Sequence, residues 1–230
     1  AIAKASAVVT IANPHTNAHR CNNRVSRIAE LAGEALAELG AQGFTVGAPA
    51  VSDAMTQGSK NAGYSLLSRD LVADCVEVGH HAHRGNAMLV ISGCDKTGAA
   101  ALMPLARTNA PGLVVYAGTG NPGRVDIEPW AAKGNNLTIL DYAEAAAARE
   151  AGQISNEQFL ELEKSVMPGS GTCGAMFTAN TMSVIIEAIG MMLPRGASHP
   201  ADYDAASDIH DDVGLQVKAS AKALLELVAS

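Results

Sequence analysis

Residues 87–97 read AMLVISGCDKT, and they join a short apolar run to three chemically reactive side chains. The run Ala87–Ile91 is partly β-branched and is followed by small turn residues, which is typical of a buried strand. A helical pattern begins directly afterwards and covers residues 98–107. This order predicts one strand–helix unit of a parallel sheet, with Cys94 at the carboxyl end of its strand.

The same alternation extends along the chain. We predict strands at Ala7–Ala12, Phe44–Ala50, Ala87–Ile91 and Gly112–Ala117, and helices at residues 24–39, 67–84, 98–107, 141–151, 155–166, 174–192 and 203–228. Right-handed crossovers then give a three-layer α/β/α fold with a mainly parallel sheet. We expect one α/β domain over residues 1–230, with its ligand site at the carboxyl ends of the strands.

Charge and composition exclude several classes of partner. The net charge is −7 and the sixteen Lys and Arg residues are scattered, so a nucleic-acid partner is not expected. The apolar stretch 174–193 contains Asn180 and Glu187, which argues against a membrane span. Four dispersed cysteines do not make a secreted disulfide framework, and Ala1–Lys4 does not resemble a leader, so we expect a cytoplasmic protein.

Three cysteines occur in loop-like surroundings of small, glycine-rich or polar residues: Cys21, Cys94 and Cys173. Their wide separation excludes the local Cys-x-x-Cys pairs of a structural zinc site or a ferredoxin. Loops after apolar segments can present such thiols to a metal or cluster, although three unrelated core cysteines would give the same pattern. Cys75 differs because it lies inside an amphipathic helix, where we expect it to pack.

Charged residues accompany two of the predicted strand ends. Asp95 and Lys96 directly follow Cys94, and Asp53 follows the second strand. The Asp95–Lys96 pair could be a weak surface ion pair, or the aspartate could bind a hard cation beside a modified or titrating lysine. Asp53 could cap a turn, or it could be a further ligand on the same edge of the sheet.

A glycine motif and the histidines are less specific. Residues 118–123 match G-x-G-x-x-G, but Pro122 and Pro129 disfavour the helix that a dinucleotide site needs. We therefore predict a flexible turn whose N–H groups can face an anion, within a loop over residues 118–136 that can cover a site. Residues 80–83 contain three histidines, and we expect them to form a solvated helix end. His15 and His19 lie shortly before Cys21 in the sequence and can line the pocket near it.

Three longer motifs resemble the dihydroxy-acid dehydratase/6-phosphogluconate dehydratase family, which includes sugar-acid dehydratases. They are residues 92–97 (SGCDKT), residues 64–74 (YSLLSRDLVAD) and residues 169–182 (GSGTCGAMFTANTM). The similarity runs from about residue 8 to the end of the sequence, in order and at similar spacing. It implies a hydro-lyase that forms a 2-oxo acid from a 2,3-dihydroxy acid or an aldonic acid, in branched-chain amino acid biosynthesis or sugar acid metabolism.

The resemblance also implies cofactors and their ligands. It assigns an iron–sulfur cluster to Cys21, Cys94 and Cys173, and the presence of Cys21 favours the [2Fe–2S] type over [4Fe–4S]. It assigns Mg²⁺ to Asp53 and Asp95, with Lys96 carbamylated as a further metal ligand and catalytic group. Ala54 stands where the family usually has glycine.

Relatives of this kind are far longer than 230 residues. The resemblance places the proton-abstracting serine and another Mg²⁺-binding carboxylate in a C-terminal β-rich domain that this sequence lacks. We therefore expect a partner chain or further polypeptide to complete the site. We also expect a small hydroxy-acid substrate and a homo-oligomer. Two other functions stay open, which are a non-catalytic iron–sulfur redox or sensing module and a regulatory α/β domain without a cluster.

Overall fold

The computed structural model describes residues 5–201 and 211–230. Its strands are β1 (Val8–Asn13), β2 (Gln42–Gly47), β3 (Ala87–Ser92) and β4 (Gly112–Tyr116). Its α-helices are α1 (Val25–Glu38), α2 (Asp53–Thr56), α3 (Ala62–Ala82), α4 (Asp95–Thr108), α5 (Ile139–Glu150), α6 (Asn156–Ser165), α7 (Thr178–Ala188) and α8 (Asp211–Ala229). Short 3₁₀ helices occur at Trp130–Lys133 and Gly196–Ser198.

The four strands form one parallel sheet in the order β2-β1-β3-β4. Strand β1 therefore pairs with both β2 and β3, and in this register Val9 lies opposite Ala87. Because all strands run in one direction, the segments that leave β1, β2 and β3 emerge at the same edge. That edge is where the sequence analysis placed the site.

Helices cover both faces of the sheet. One core joins α1 and α8 to one face, through side chains that include Val9, Leu36 and Leu224. A second core joins α3, α4 and α7 to the other face, around Val76, Leu105 and Ile186. The three-layer α/β/α prediction is confirmed, because a parallel sheet with apolar side chains on both faces needs a helical layer on each.

A third apolar cluster changes the interpretation of the predicted loop over residues 118–136. Val125, Ile127 and Trp130 from this segment pack with Phe159 and Leu162 of α6. The segment also forms a 3₁₀ helix at Trp130–Lys133. It is therefore a packed connection with its own small core, and not simply an open loop.

All four predicted strands appear, with bounds shifted by a few residues. The prediction that the strands are buried was wrong for one of them. Strand β2 is not fully buried, because it lies at the edge of the sheet; four of its residues are half-buried, and Thr45 and Gly47 are exposed. The helix expected at 174–192 is shorter and spans Thr178–Ala188. The first part of the helix expected at 203–228 lies outside the described residues, and the short helix α2 was not predicted.

The histidines at the end of α3 do not all face water as predicted. His80 is only 5% exposed, and its Nδ1 lies 2.8 Å from the Oγ1 of Thr10 on β1. Gly85 makes room for this pair, since a Cβ there would lie 2.5 Å from the same ring nitrogen.

Within the described ranges, none of the helices combines the length and the apolarity that crossing a membrane requires.

The buried His80 predicts a specific dependence of stability on pH. Burial and the neighbouring His81 lower the pKa of His80 below its usual value of 6.5, so the unfolded chain takes up this proton before the folded one. The contribution of His80 is fully present above about pH 6.5 and falls as the pH drops towards the folded pKa, by at most about 1.4 kcal/mol per pH unit. Urea unfolding between pH 8 and pH 5 measures the slope.

His80→Asn should flatten this slope, whereas His15→Asn, at an exposed position, should leave it unchanged. Equal slopes in both variants would contradict the assignment to His80.

Candidate functional site

The three loop cysteines meet at one place near the carboxyl edge of the sheet. Cys21 follows β1, Cys94 follows β3 and is the N-cap of α4, and Cys173 lies between α6 and α7. Hydrogen bonds with Cys173 and Cys94, together with burial, raise the pKa of the Cys21 thiol. The hydrogen bond from Cys21 in turn lowers the pKa of Cys173 to about 7. The structure thus brings together three thiols that are far apart in the sequence.

Asn22 holds the first two cysteine loops together. It is completely buried, and its Oδ1 accepts a hydrogen bond of 2.9 Å from the backbone N–H of Cys94. Its Nδ2 donates to the carbonyl oxygen of Pro14 at 2.6 Å. Gly93 lets the loops approach this closely, because a Cβ at that position would lie 2.7 Å from Asn22 Oδ1.

The loop that carries Cys173 is attached to the first loop and to the glycine motif. The N–H of Gly171 donates to the carbonyl of Arg20 at 3.1 Å, one residue before Cys21. Gly171 adopts a φ of +117°, and a Cβ there would lie 2.4 Å from the backbone nitrogen of Gly120. The N–H of Gly120 donates to Thr172 at 2.8 Å.

These contacts correct the interpretation of residues 118–123. The N–H groups of Thr119, Gly120 and Gly123 donate to protein carbonyl oxygens, so they do not face an anionic ligand. The motif is also not the start of a helix, which removes the basis for a dinucleotide site. Its glycines are needed for close packing, because a Cβ at Gly120 would meet the Cys173 loop at Thr172, and Cβ atoms at Gly118 and Gly123 would meet the backbone near Ala201 and Ser165.

Asn180, in the first turn of α7, completes the attachment of this loop. With the amide oriented by its hydrogen-bond network, its oxygen accepts from the hydroxyl groups of Tyr116 and Thr119. Its nitrogen then donates to the carbonyl oxygens of Cys173 and Ala175. Strand β4 and helix α7 thereby fix the backbone beside the third thiol.

Oxygen ligands gather beside the thiol of Cys94. Ser52, which is the N-cap of α2, places its Oγ 3.0 Å from the Cys94 Sγ. The Cys94 thiol also donates to Asp95 Oδ2 at 2.8 Å, and the same oxygen accepts a 3.1 Å hydrogen bond from the N–H of Asp53. The unpredicted helix α2 therefore positions Asp53 against the start of α4.

Lys96 connects the two carboxylates. Its Nζ lies 2.6 Å from Asp53 Oδ2 and 3.4 Å from Asp95 Oδ1, and all three side chains are at least two-thirds buried. Burial acts to raise the pKa of Asp53, but hydrogen bonds from Lys96 and Ser65 outweigh it and lower this pKa. Burial likewise acts to lower the pKa of Lys96, but its contacts with Asp53 and Asp95 raise it.

His19 places a ring nitrogen beside two of the thiols. One ring nitrogen and the Sγ atoms of Cys21 and Cys94 all lie within 4.8 Å of one another. Burial lowers the pKa of His19, and the backbone of Ala50 and the charge of Asp95 offset part of that effect. His19 therefore lies beside Cys21 and Cys94, as expected from the sequence, although neither His19 nor His15 is among the residues that line the cavity described below.

A cavity of about 360 Å³ opens onto these groups. All three cysteines line it, together with Ser52, Asp53 and Asp95. Ile139, Phe177 and Ala179 supply an apolar part of its wall. The cavity therefore combines soft sulfur atoms, hard oxygen atoms and an apolar surface in a volume that suits a small molecule.

Comparison with known proteins identifies the family to which the chain belongs. The family profile described as dihydroxy-acid/6-phosphogluconate dehydratase N-terminal matches residues 6–227. The chain belongs to this family. Among curated relatives, it is similar to the dihydroxy-acid dehydratase of Methylibium petroleiphilum, with 35% identity over 96% of this chain and 37% of the relative.

Two further relatives of the family are similar at higher identity over a shorter region. Dihydroxy-acid dehydratase from Polynucleobacter asymbioticus is 41% identical over 86% of this chain and 34% of its own length. Dihydroxy-acid dehydratase 3 from Bordetella bronchiseptica is 39% identical over 83% of this chain and 33% of its own length. The chain thus spans about a third of the length of these family members.

The site contains several residues that the sequence analysis did not single out. Ser52, Ser65, Asn22 and Asn180 all make short contacts with the candidate ligands or with their backbone. Asn22 could have been suspected from its position beside Cys21, and Ser65 and Asn180 from their place in the family motifs. Ser52 gave no comparable signal.

The convergence of the thiols predicts selective disulfide formation. Mild oxidation of the metal-free protein should join Cys21 to Cys94 or Cys173, because Cys21 contacts both. Peptide mass spectrometry after alkylation identifies the bonded pair, and Cys75 in α3 serves as the internal control that remains alkylated. A disulfide that contains Cys75, or four free thiols, would contradict the observed geometry.

Proposed function

We propose that this chain is the cofactor-binding part of a dehydratase that forms a 2-oxo acid from a 2,3-dihydroxy acid or an aldonic acid. The single observation that carries the proposal is the shared cavity, in which three thiols face two aspartates. Family membership supports the reaction class, since the relatives are called dihydroxy-acid dehydratases. Further polypeptide would supply the general base and complete the site.

The donor atoms fit an iron–sulfur cluster. Cys21, Cys94 and Cys173 bring three sulfurs together, and thiolates are the usual protein ligands of such clusters. No disulfide joins these cysteines, so each sulfur can ligate. The presence of Cys21 in this set favours a [2Fe–2S] cluster, with [4Fe–4S] as the alternative.

The oxygen atoms beside the thiols fit a hard divalent cation. Asp53 and Asp95 offer carboxylates, which are the ligands that Mg²⁺ prefers, and Lys96 lies between them. Asp95 Oδ1 is buried, and apart from its 3.4 Å ion pair with Lys96 Nζ it makes no hydrogen bond among the described residues, so it can serve a cation. A carbamylated Lys96 would add a third oxygen ligand next to these two carboxylates.

When bound, the cluster and Mg²⁺ supply Lewis-acid assistance to the departing hydroxyl group and charge compensation for the substrate carboxylate. The protein itself contributes position and surroundings. The start of α4, at Asp95, directs backbone N–H groups towards the site, which favours an anionic ligand. Ile139, Phe177 and Ala179 can contact the hydrocarbon part of a small acid and exclude water from it.

A second function is a non-catalytic iron–sulfur redox or sensing module. It is favoured by His19, because a nitrogen donor beside the thiols could complete the ligand set and leave no open position. Production of a 2-oxo acid distinguishes the two functions. Cytoplasmic location, homo-oligomerisation and a partner chain stay predictions.

An anaerobic preparation tests the proposal directly. The protein should bind iron and sulfide and absorb visible light, and Cys94→Ser should abolish that absorption because one of three ligands is lost. Cys75→Ser is the matched control and should keep the spectrum, since Cys75 lies on α3 away from the cavity lining. Retention of the cluster by Cys94→Ser would refute the ligand assignment.

The reaction itself is measured by screening aldonic and 2,3-dihydroxy acids with Mg²⁺ and detecting the 2-oxo acid. The assay is run on the chain as given and on any longer form or complex that contains it, because the chain spans 37% of the Methylibium petroleiphilum relative. Cluster-loaded samples that form no 2-oxo acid from any of these acids would favour the redox or sensing function.

Ser65 predicts an indirect effect on Mg²⁺ binding. Its buried hydroxyl donates to Asp53 Oδ1 at 2.5 Å and orients the carboxylate. Ser65→Ala should weaken Mg²⁺ binding about 10- to 100-fold, because partners that orient a metal ligand have effects of this size. Titration calorimetry of the cluster-loaded protein measures the affinity.

Ser68→Ala is the control for Ser65→Ala, because Ser68 is also buried on α3 but donates to the backbone carbonyl of Ser65. Equal Mg²⁺ affinities in the two variants would show that Ser65 does not position Asp53.

A further inference from the structure

Helix α3 carries apolar side chains on two opposite sides. Its inner side is buried, through residues that include Val72 and Val76. Its outer side carries four large apolar residues that are all exposed, which we call the outer row: Tyr64, Leu67, Leu71 and Val78. Extended apolar patches are uncommon on the surface of a monomeric protein and mark interaction sites. The outer row therefore indicates a surface that another polypeptide covers.

The spacing of the outer row suits a second helix. Leu67 lies three positions after Tyr64, and Leu71 lies seven positions after it. Residues at these intervals share one side of a helix, and helix–helix contacts use such rows as anchors. The row continues to Val78, so it spans 15 of the 21 residues of α3, or about 21 Å along the helix axis.

The outer row is also symmetric about its own centre. Leu71 lies seven positions from both Tyr64 and Val78, and it is one position from the middle of the helix Ala62–Ala82. If two copies of α3 cross in antiparallel orientation at Leu71, Tyr64 of each copy lies near Val78 of the other. A twofold interface requires a surface that is complementary to itself, and this row meets that requirement.

The charges beside the outer row are paired within the chain. Arg107 on α4 lies 2.7 Å from Asp74 and 3.3 Å from Glu77. Arg69 lies 3.2 Å from Asp70. Because the chain carries a net charge of −7, repulsion opposes the approach of a second copy over much of its surface. These two arginines reduce that repulsion beside the outer row.

Other helices offer less suitable surfaces. Helix α1 exposes three glutamates, Glu30, Glu34 and Glu38. Helix α7 exposes apolar residues between Val184 and Ile189, but this patch spans only about 8 Å along its axis. Among the described residues, the outer row of α3 therefore offers a longer apolar contact to a second helix than α7 does.

We infer that two copies of this chain associate through the outer row of α3, with the two helices crossing in antiparallel orientation at Leu71. The row supplies the apolar centre of the interface, and the paired charges at Asp70 and Asp74 lie at its rim. This inference goes beyond the proposed function and does not depend on any cofactor.

Leu71→Glu tests the surface. Sedimentation equilibrium of the chain should show a dimer for the wild type. Leu71→Glu should weaken dimerisation by at least about 30-fold, because it removes a central apolar contact and places two carboxylates together at the twofold axis. Circular dichroism verifies that the variant is folded.

Two variants serve as controls for Leu71→Glu. Leu66→Glu changes a leucine of the same helix that is 54% exposed, but Leu66 lies about 100° around the axis from Leu67 and outside the row. Ile185→Glu changes the apolar patch of α7, where the side chain is 44% exposed. Both variants should dimerise as the wild type does.

A cross-linking experiment tests the position of the axis. In a Cys75→Ser background, oxidation of Leu71→Cys should give a disulfide-linked dimer on a non-reducing gel, because the two copies of this position meet. Leu66→Cys in the same background should remain monomeric on the gel. Equal cross-linking of the two variants, or none with Leu71→Cys, would contradict the proposed crossing point.

The remaining outcomes are also decisive. A monomeric wild-type chain, or a dimer that Leu71→Glu leaves intact, would overturn the inference. A dimer that dissociates in Ile185→Glu and persists in Leu71→Glu would assign self-association to α7 instead. None of these measurements uses iron, sulfide or Mg²⁺, so this inference and the proposed function can fail independently.

Discussion

The candidate site depends on hydrogen bonds that join loops from distant parts of the chain. Asn22 links the loop after β1 to the backbone of Cys94, and Gly171 links the third cysteine loop to Arg20. The sheet makes the first of these links possible, because β1 and β3 are neighbours and run in the same direction. The sulfurs are thus positioned by backbone contacts that do not themselves require a cofactor.

Local charge at the site differs from the charge of the whole chain. The chain carries a net charge of −7, and two of its aspartates and three thiols line the cavity, so the proposed anionic substrate needs local compensation. Lys96 and the start of α4 provide part of it. Lys96 pairs closely with Asp53 and Asp95, so these three residues act as one electrostatic unit. A change in the charge of one residue therefore alters the pKa values of the other two.

The sequence was sufficient to predict the sheet, the three layers and the edge at which the ligands lie, because apolar runs and helical periodicity follow directly from burial. It could not predict that Thr10 would satisfy His80, since that contact joins β1 to the end of α3. It also could not show that Gly120 and Gly171 pack backbone to backbone. The roles of Ser52 and of the short helix α2 depend on tertiary contacts with Asp95, which periodicity does not detect.

The distance along the chain between the cysteine loops has a consequence for the order of maturation. In a zinc finger, metal uptake and folding are a single event, because the unfolded chain has no preformed site and the free energy of metal binding drives folding. Here the hydrogen bond between Asn22 and Cys94 joins residues that are 72 positions apart. Closing a loop of this length costs conformational entropy, and burial of the hydrophobic cores on the two faces of the sheet must offset that cost. The hydrogen bonds that join these loops use protein groups only, so the folded polypeptide would present a preformed receptor to the proposed inorganic cofactor.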